Sequence, residues 1–273
     1  MRARNRGLLM AVVAGGRYVE ASTLSEGWLG AAAVLRQAPG MKVVHLMVRI
    51  SDPCAEVEEI RAAAAALIEA EGKKAPIETV RTTIFPARWA ERHPTPEDLA
   101  LHYRENYSEL RGFAQNQHGT YFGRIVAYPR DGEETDLADQ LNETVQKLIE
   151  EQVNGTNKSS RFEISVYSER HDGRRAWGFP CLAHLSVHMH EGALHMQAVY
   201  RNEFIVQRGY GNFLGVAELQ AFLAKSVGLD VGELFVTIGH GEFDGAKTRG
   251  DKILGQLWKE VGVLGLTPND DSE

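Results

Sequence analysis

The stretch that most constrains what this chain can fold into runs from Leu182 to Tyr200. Residues 182–189 and 194–200 each alternate apolar with polar side chains, and Glu191-Gly192 lies between them. Period-two alternation on either side of an Xaa-Gly pair predicts a β-hairpin with one face in a core. The rest of the chain must supply that face with partners. Gly209-Tyr210-Gly211-Asn212 then leads into an amphipathic helical run over 213–227, and residues 234–239 read as one more buried strand. The hairpin opens on Phe179-Pro180-Cys181 and ends on Arg201. A thiol at its mouth, a guanidinium at its far end and Asn212 at a helix entrance together suit a small anionic ligand.

The chain has 273 residues, 43% hydrophobic and 25% charged, which is the make-up of a globular protein with an ample core. A net charge of −7 argues against broad nucleic-acid binding, because that needs a basic face to offset phosphate repulsion. Only Cys54 and Cys181 are cysteines, so no disulfide framework is expected. No apolar run reaches the roughly 18 residues of a membrane span. The basic start, Met1 to Arg6, and the apolar run that follows mimic a signal peptide, but Val12-Val13 makes a first strand over 7–13 the better reading. The expected location is the cytoplasm.

In chain order, Gly15-Gly16 reads as a turn, and a helix follows through 25–35 with Ser22 or Ser25 as its N-cap. Residues 41–50 read as a buried strand, and Ser51-Asp52-Pro53 caps an alanine-rich helix over 55–71. Residues 79–86 look strand-like. A helix starts at His93-Pro94-Thr95-Pro96 and runs to about Phe113. Residues 118–124 form a glycine-punctuated turn into 125–128, residues 136–151 a helix, and 161–168 a strand that begins on Arg161. There is no internal repeat, and no linker long enough to force two independent domains.

Each candidate site residue has a plain reading beside its chemical one. Cys181 is either a small buried side chain or a nucleophile, which would need a positive neighbour to favour its thiolate. Arg201 is either an edge charge or an oxyanion clamp whose fork matches phosphate. Asn212 is either an N-cap or an amide that donates to uracil O4 while accepting from N3–H; a carboxylate there would suit a cytosine edge better. His184, His188 and His190 share a strand face near His195, but no cysteine or carboxylate pattern completes a metal site, and none is expected.

Pro180-Cys181, a hairpin ending in Tyr200-Arg201, Gly211-Asn212 before a helix and Val231-Gly232-Glu233-Leu234-Phe235 together resemble the thymidylate synthase family, with its pyrimidine nucleotide C5-hydroxymethylases. Arg201 lies 20 residues after Cys181 and Asn212 lies 31 after it, a spacing similar to the family's without gaps. The likeness covers roughly the second half of the chain and hardly touches the first third. It implies one domain over 1–273 with a divergent N-terminal part (about 1–80), and an α/β fold in which a large mixed β-sheet is flanked by helices. It also implies a homodimer formed through the sheet face.

The same resemblance implies chemistry on a pyrimidine nucleoside monophosphate. Cys181 would add to C6, and the enolate so formed would take a one-carbon unit from 5,10-methylenetetrahydrofolate. A base would then remove the C5 proton, and elimination would release the thiol. The product is either methyl or hydroxymethyl. Arg201 would hold the phosphate in its own subunit and Arg161 that of the neighbouring subunit, with Arg81, Arg124 or Arg208 assisting. Asn212 would hold the base, His240 the sugar hydroxyl through a shift of register, and Glu26 would replace the proton-shuttling glutamate. Residues 118–124 resemble the family's Gly-rich Tyr-Gly loop.

Several positions depart from the family. Phe204 stands where an aspartate holds the folate, with Glu203 beside it, and Leu182 replaces a histidine. Glu26-Gly27-Trp28-Leu29 is the nearest counterpart of the Glu-Leu-Leu-Trp helix. Only 29 residues follow Asp244, so the segment that closes over folate is shortened or lost. A non-catalytic nucleotide-binding or regulatory paralogue is therefore the second reading, and a dimeric scaffold without ligand the third.

Overall fold

A computed structural model describes residues 10–12, 17–72, 75–129, 137–174, 178 and 180–261. The chain opens with strands β1 (Met10–Val12) and β2 (Tyr18–Thr23), helix α1 (Leu24–Gln37) and strand β3 (Lys42–Asp52). A helical stretch follows: α2 (Glu58–Ala70), α3 (Ile77–Ile84), α4 (Ala87–Ala90), α5 (Pro96–Glu105), α6 (Tyr107–Gly112) and α7 (Tyr121–Val126). The two-residue strands β4 (Tyr128–Pro129) and β5 (Leu137–Ala138) pair with each other ahead of α8 (Gln140–Val153). Then come β6 (Glu163–Ser165), α9 (Glu169–Asp172), β7 (Leu182–His190), β8 (Ala193–Phe204), α10 (Tyr210–Ser226), β9 (Asp230–Glu242) and α11 (Lys247–Glu260).

Seven strands form one mixed sheet in the order β1-β2-β3-β9-β8-β7-β6. β2 runs parallel to β3 and β8 parallel to β9, while the remaining neighbours are antiparallel. The last long strand in the sequence is thus central in the sheet, between β3 and β8. The hairpin forms over β7 and β8, and Glu191 (φ 49°) and Gly192 (φ 80°) both take the left-handed backbone that a two-residue turn with matching twist requires. One face of the sheet is buried by Leu46, Val48, Val187, Ala198, Val236 and Ile238, against helices that include α1 and α10. A single apolar cluster extends from Val19 to Val261.

Several local expectations are corrected. Thr23, and neither Ser22 nor Ser25, caps α1; Ser25 lies inside the helix, bonding Tyr210 Oη at 2.8 Å. Residues 77–84 are helical because Ile77, Val80 and Ile84, spaced three and four apart, are buried behind Pro76. Their β-branched composition imitates a strand. The expected helix from Pro96 to Phe113 is two helices, and residues 121–126 form α7, capped by Thr120, where a turn was expected to lead into further chain. Arg161 lies in a 3₁₀ turn ahead of β6, not in the strand. β9 continues to Glu242, so His240 is within a strand and not beyond one. Of the expected first strand over 7–13, residues 7–9 and 13 lie outside the described residues, as do the Gly15-Gly16 turn and Phe179.

The opposite face of the sheet has no helix over it among the described residues. Tyr18, Met47, Thr237, Val199 and His184 lie in one row across five strands, and Glu20, Arg49, Phe235, Gln197 and Ser186 in the next. Every one of these side chains keeps some solvent exposure.

Candidate functional site

A cleft of about 260 Å³ opens at the end of the sheet where β8 finishes. Its wall draws on the stretch before β7 (Pro180, Cys181), the end of β8 (Asn202, Glu203, Phe204), the turn that follows (Arg208) and the first turn of α10 (Asn212). Thr83 from α3 and His118, Gly119, Thr120, Tyr121 and Arg124 at the start of α7 complete it. The α7 start is fixed locally. Thr120 Oγ1 accepts from Gly123 N at 3.0 Å and shares a hydrogen with Tyr103 Oη at 2.6 Å, while Gly119 takes φ 94°.

Cys181 and Asn212 therefore meet at one cleft, although they lie on different elements. Arg201 is beside it but not among the lining residues. Its backbone N–H donates to Cys181 O at 2.8 Å, its Nη2 donates to Pro180 O at 2.7 Å, and its guanidinium stacks 4.3 Å from the Tyr167 ring centre. It supports the turn that presents the thiol. Of the lining arginines, Arg124 forks onto Asp172 at 2.7 and 2.8 Å, whereas Arg208 makes no ion pair among the described residues. Arg81 is taken by Glu78 and Glu218, away from the lining.

The other sequence candidates fall elsewhere. Glu26 is the N3 residue of α1 and accepts from the Thr23 and Ser22 amides at 2.8 and 3.1 Å, completing a capping box. That role occupies its carboxylate, and it does not line the cleft. Arg161 binds Glu150 and the buried Glu151 of its own chain. His240 reaches the site indirectly: its Nδ1 lies 2.8 Å from Oδ1 of the lining residue Asn202. His184 pairs with Glu163 on the open sheet face, and His188 Nε2 lies 3.2 Å from Ser186 Oγ. Among the described residues no group of three His, Cys, Asp or Glu is arranged to hold a metal.

The electrostatics of the cleft centre on Glu203, which the sequence singles out only as the neighbour of Phe204. The residue is 1% exposed, and both carboxyl oxygens accept from Asn212 Nδ2, at 3.1 and 2.9 Å. Burial pushes its carboxyl up to about 8, with nearby Asp244 adding to the rise and the Asn212 bond and Arg208 opposing it. Strict alternation from the buried Tyr200 would turn Glu203 outward. Instead Arg201 and Asn202 are both half-buried and Glu203 turns inward, opposite Gly241, while Ile238 and Gly241 bracket the same slip in β9. A carboxylate three residues past a buried tyrosine is the only sequence signal, and it points the wrong way.

The thiol itself is not activated in the ligand-free protein. Burial pushes Cys181 up, Glu203 reinforces this, and Arg201 and Arg208 pull the other way without prevailing. Cys54, exposed after β3, is pushed up as well, by desolvation and by Asp52, whose Oδ1 accepts from the Cys54 amide at 3.1 Å. A second cavity of about 210 Å³ adjoins the cleft through Thr83 and Thr120, and Pro86, Trp89, Tyr103 and Leu110 give it apolar, aromatic walls. No family model and no curated protein matches the chain.

Proposed function

We propose that the chain is a thymidylate-synthase-like transferase, adding a folate-borne one-carbon unit to C5 of a pyrimidine nucleoside monophosphate through a covalent Cys181–C6 adduct. The observation that carries this reading is the meeting of Cys181, Asn212 and Arg208 on one cleft from three separate segments. C5 of a pyrimidine is a poor nucleophile until a thiolate adds at C6, so a thiol beside a base-reading amide and a phosphate-binding cation is the minimum set. Arg208 takes the phosphate role that the resemblance gives to Arg201, because it lines the cleft and makes no ion pair among the described residues. The aromatic cavity around Trp89 and Tyr103 suits the flat ring system of 5,10-methylenetetrahydrofolate, and the exposed Phe204 lines the adjoining cleft. The product is methyl or hydroxymethyl, the assembly is a homodimer through the open sheet face, and the setting is the cytoplasm.

A 5-fluoropyrimidine nucleotide tests the chemistry, since addition at C6 proceeds while the C5 fluorine cannot leave. With methylenetetrahydrofolate present, intact mass spectrometry is expected to show one covalent adduct, lost in Cys181→Ser and kept in Cys54→Ser. The raised pKa of the free Cys181 thiol favours a second reading, a paralogue that binds nucleotide without catalysis. Tight nucleotide binding with no adduct would select it.

A further inference from the structure

A groove of about 490 Å³ runs between α2 and α3 and shares no lining residue with the cleft. Ala62, Ala65, Ile68 and Ile77 give it small apolar walls, and Glu58, Glu69 and Glu78 add three carboxylates. Arg61 also lines it, but that guanidinium is already held by Glu56 at 2.6 and 2.7 Å and by Glu78. Glu58 and Glu69 are exposed and make no ion pair among the described residues. An apolar trough with surplus carboxylates suits an occupant that is slender and basic. We propose that residues 1–9 of the same chain dock in this groove, with Arg2, Arg4 and Arg6 meeting the carboxylates of Glu58, Glu69 and Glu78.

Charge and reach select this occupant. Residues 1–9 carry three arginines and no acid, whereas residues 262–273, which follow α11, carry Asp270, Asp271 and Glu273 and no base. The second segment is repelled where the first is attracted. In an extended segment Arg2, Arg4 and Arg6 fall on one side and Ala3 on the other, so a small side chain meets the alanine wall while the arginine stems reach the rim. β1 is antiparallel to β2, with Met10 opposite Ala21 and Val12 opposite Val19, so the chain ahead of Met10 leaves toward the end of β2. α2 begins at that same end: Leu24 N donates to Ala55 O at 3.0 Å, and Val57 N to Ser25 Oγ at 2.8 Å. Arg2 lies eight residues before Met10, a reach of up to about 28 Å when extended. Exposed ion pairs are weak one at a time, and the tether through β1 supplies the effective concentration that a free peptide lacks.

Disulfide trapping with diamide tests the proposal on the full chain, in a Cys54→Ser background because Cys54 is exposed ahead of α2. Ala65 lines the groove, and Ala66 is exposed on the same helix outside it. Ala3→Cys paired with Ala65→Cys is expected to close an intrachain disulfide about tenfold faster than Ala3→Cys paired with Ala66→Cys. Reversing the charges together, with Arg2→Glu, Arg4→Glu and Arg6→Glu, is expected to erase that difference, and added salt to narrow it. Equal rates at the two positions, or a difference that survives the charge reversal, overturns the proposal. A disulfide formed only between two chains overturns it too, and assigns the groove to a neighbouring copy. Hydrogen exchange gives a readout free of added cysteines. The amides of α2 and α3 are expected to exchange more slowly in the wild type than in the charge-reversed variant, and equal exchange overturns the docking.

Discussion

Glu203 is the residue whose surroundings most oppose its charge. Its folded pKa of about 8 stands above its ordinary value of 4.5, so the folded state binds this proton more tightly than the unfolded state does. The contribution to stability is full below about 4.5 and is lost as pH rises through about 8, a range worth at most about 5 kcal/mol. Glu203→Gln removes that loss. Its melting temperature is expected to exceed that of the wild type at pH about 8.5, by a margin equivalent to a few kcal/mol, and the gap is expected to close towards pH 4. Thermal melts across that range check this, and a gap independent of pH would mean that Glu203 is not the buried acid. Glu151 shows the opposite case. The Thr156 hydroxyl, Arg161 and the Lys158 amide hold its carboxyl down to about 2, against its own desolvation. Both carboxyls accept hydrogen bonds, but desolvation outweighs the single amide donor at Glu203, whereas three donors outweigh it at Glu151.

At the scale of elements, the cleft depends on how closely α10 approaches α3. Gly211 and Gly215, one turn apart on α10, make that approach possible. A Cβ on Gly211 would lie 2.6 Å from Val80 Cβ and 2.8 Å from Ile77 O, and one on Gly215 would lie 2.8 Å from Arg81 O. Thr83 on α3 and Asn212 on α10 both line the cleft, so separating the helices also widens the site. Gly211→Ala is expected to cost about 1–3 kcal/mol, because overpacking against backbone exceeds the roughly 1 kcal/mol that alanine returns in helix propensity. Urea denaturation checks the loss, and nucleotide affinity is expected to fall with it. The sequence announced a helix over 213–227 with Gly211 just ahead of it, but not that the helix takes in Gly211, and not α3, whose β-branched residues look extended until their three-and-four spacing is given a partner. The β7–β8 hairpin was legible because a two-residue turn and strict alternation leave little other choice. Cys181 and Asn212 were legible through their spacing. Arg208 was legible only as one of three assisting arginines and Glu203 only as the neighbour of Phe204, since a turn after one strand and a slip in its alternation are settled by packing across the sheet. Glu26 was misplaced for a related reason, because a glutamate at N3 is first of all a capping residue.

At the scale of the whole molecule, one face of the sheet carries the helices and the other carries none among the described residues. The open face is not simply a solvated surface. Met47 is 38% exposed, Tyr18 and Phe235 hold their rings 6.3 Å apart, and Val199 lies across from Thr237. Around this apolar strip, Arg49 joins Glu20 and Glu233, and His184 joins Glu163, so these flanking polar groups already have partners within the chain. An apolar centre with a paired polar rim is the anatomy of a protein interface. A broad face that contains both parts can meet a second copy of itself about a two-fold axis. We therefore expect sedimentation velocity to show a two-chain particle at micromolar concentration. Phe235→Glu places a charge in the centre of the strip, and it is expected to weaken association by at least about thirtyfold, the equivalent of losing one central aromatic anchor. Tyr18→Glu is expected to act in the same direction, whereas Lys42→Glu, outside the strip, leaves the assembly intact. Arg161 gives a separate measure of whether subunits share a site. Its own-chain carboxylates Glu150 and Glu151 hold it in the isolated chain, so a contribution across the interface requires them to yield it. If Phe235→Glu separates the subunits and nucleotide affinity is unchanged, the cleft is complete within one chain. A wild-type protein that sediments as a monomer while binding nucleotide at full strength would refute the homodimer.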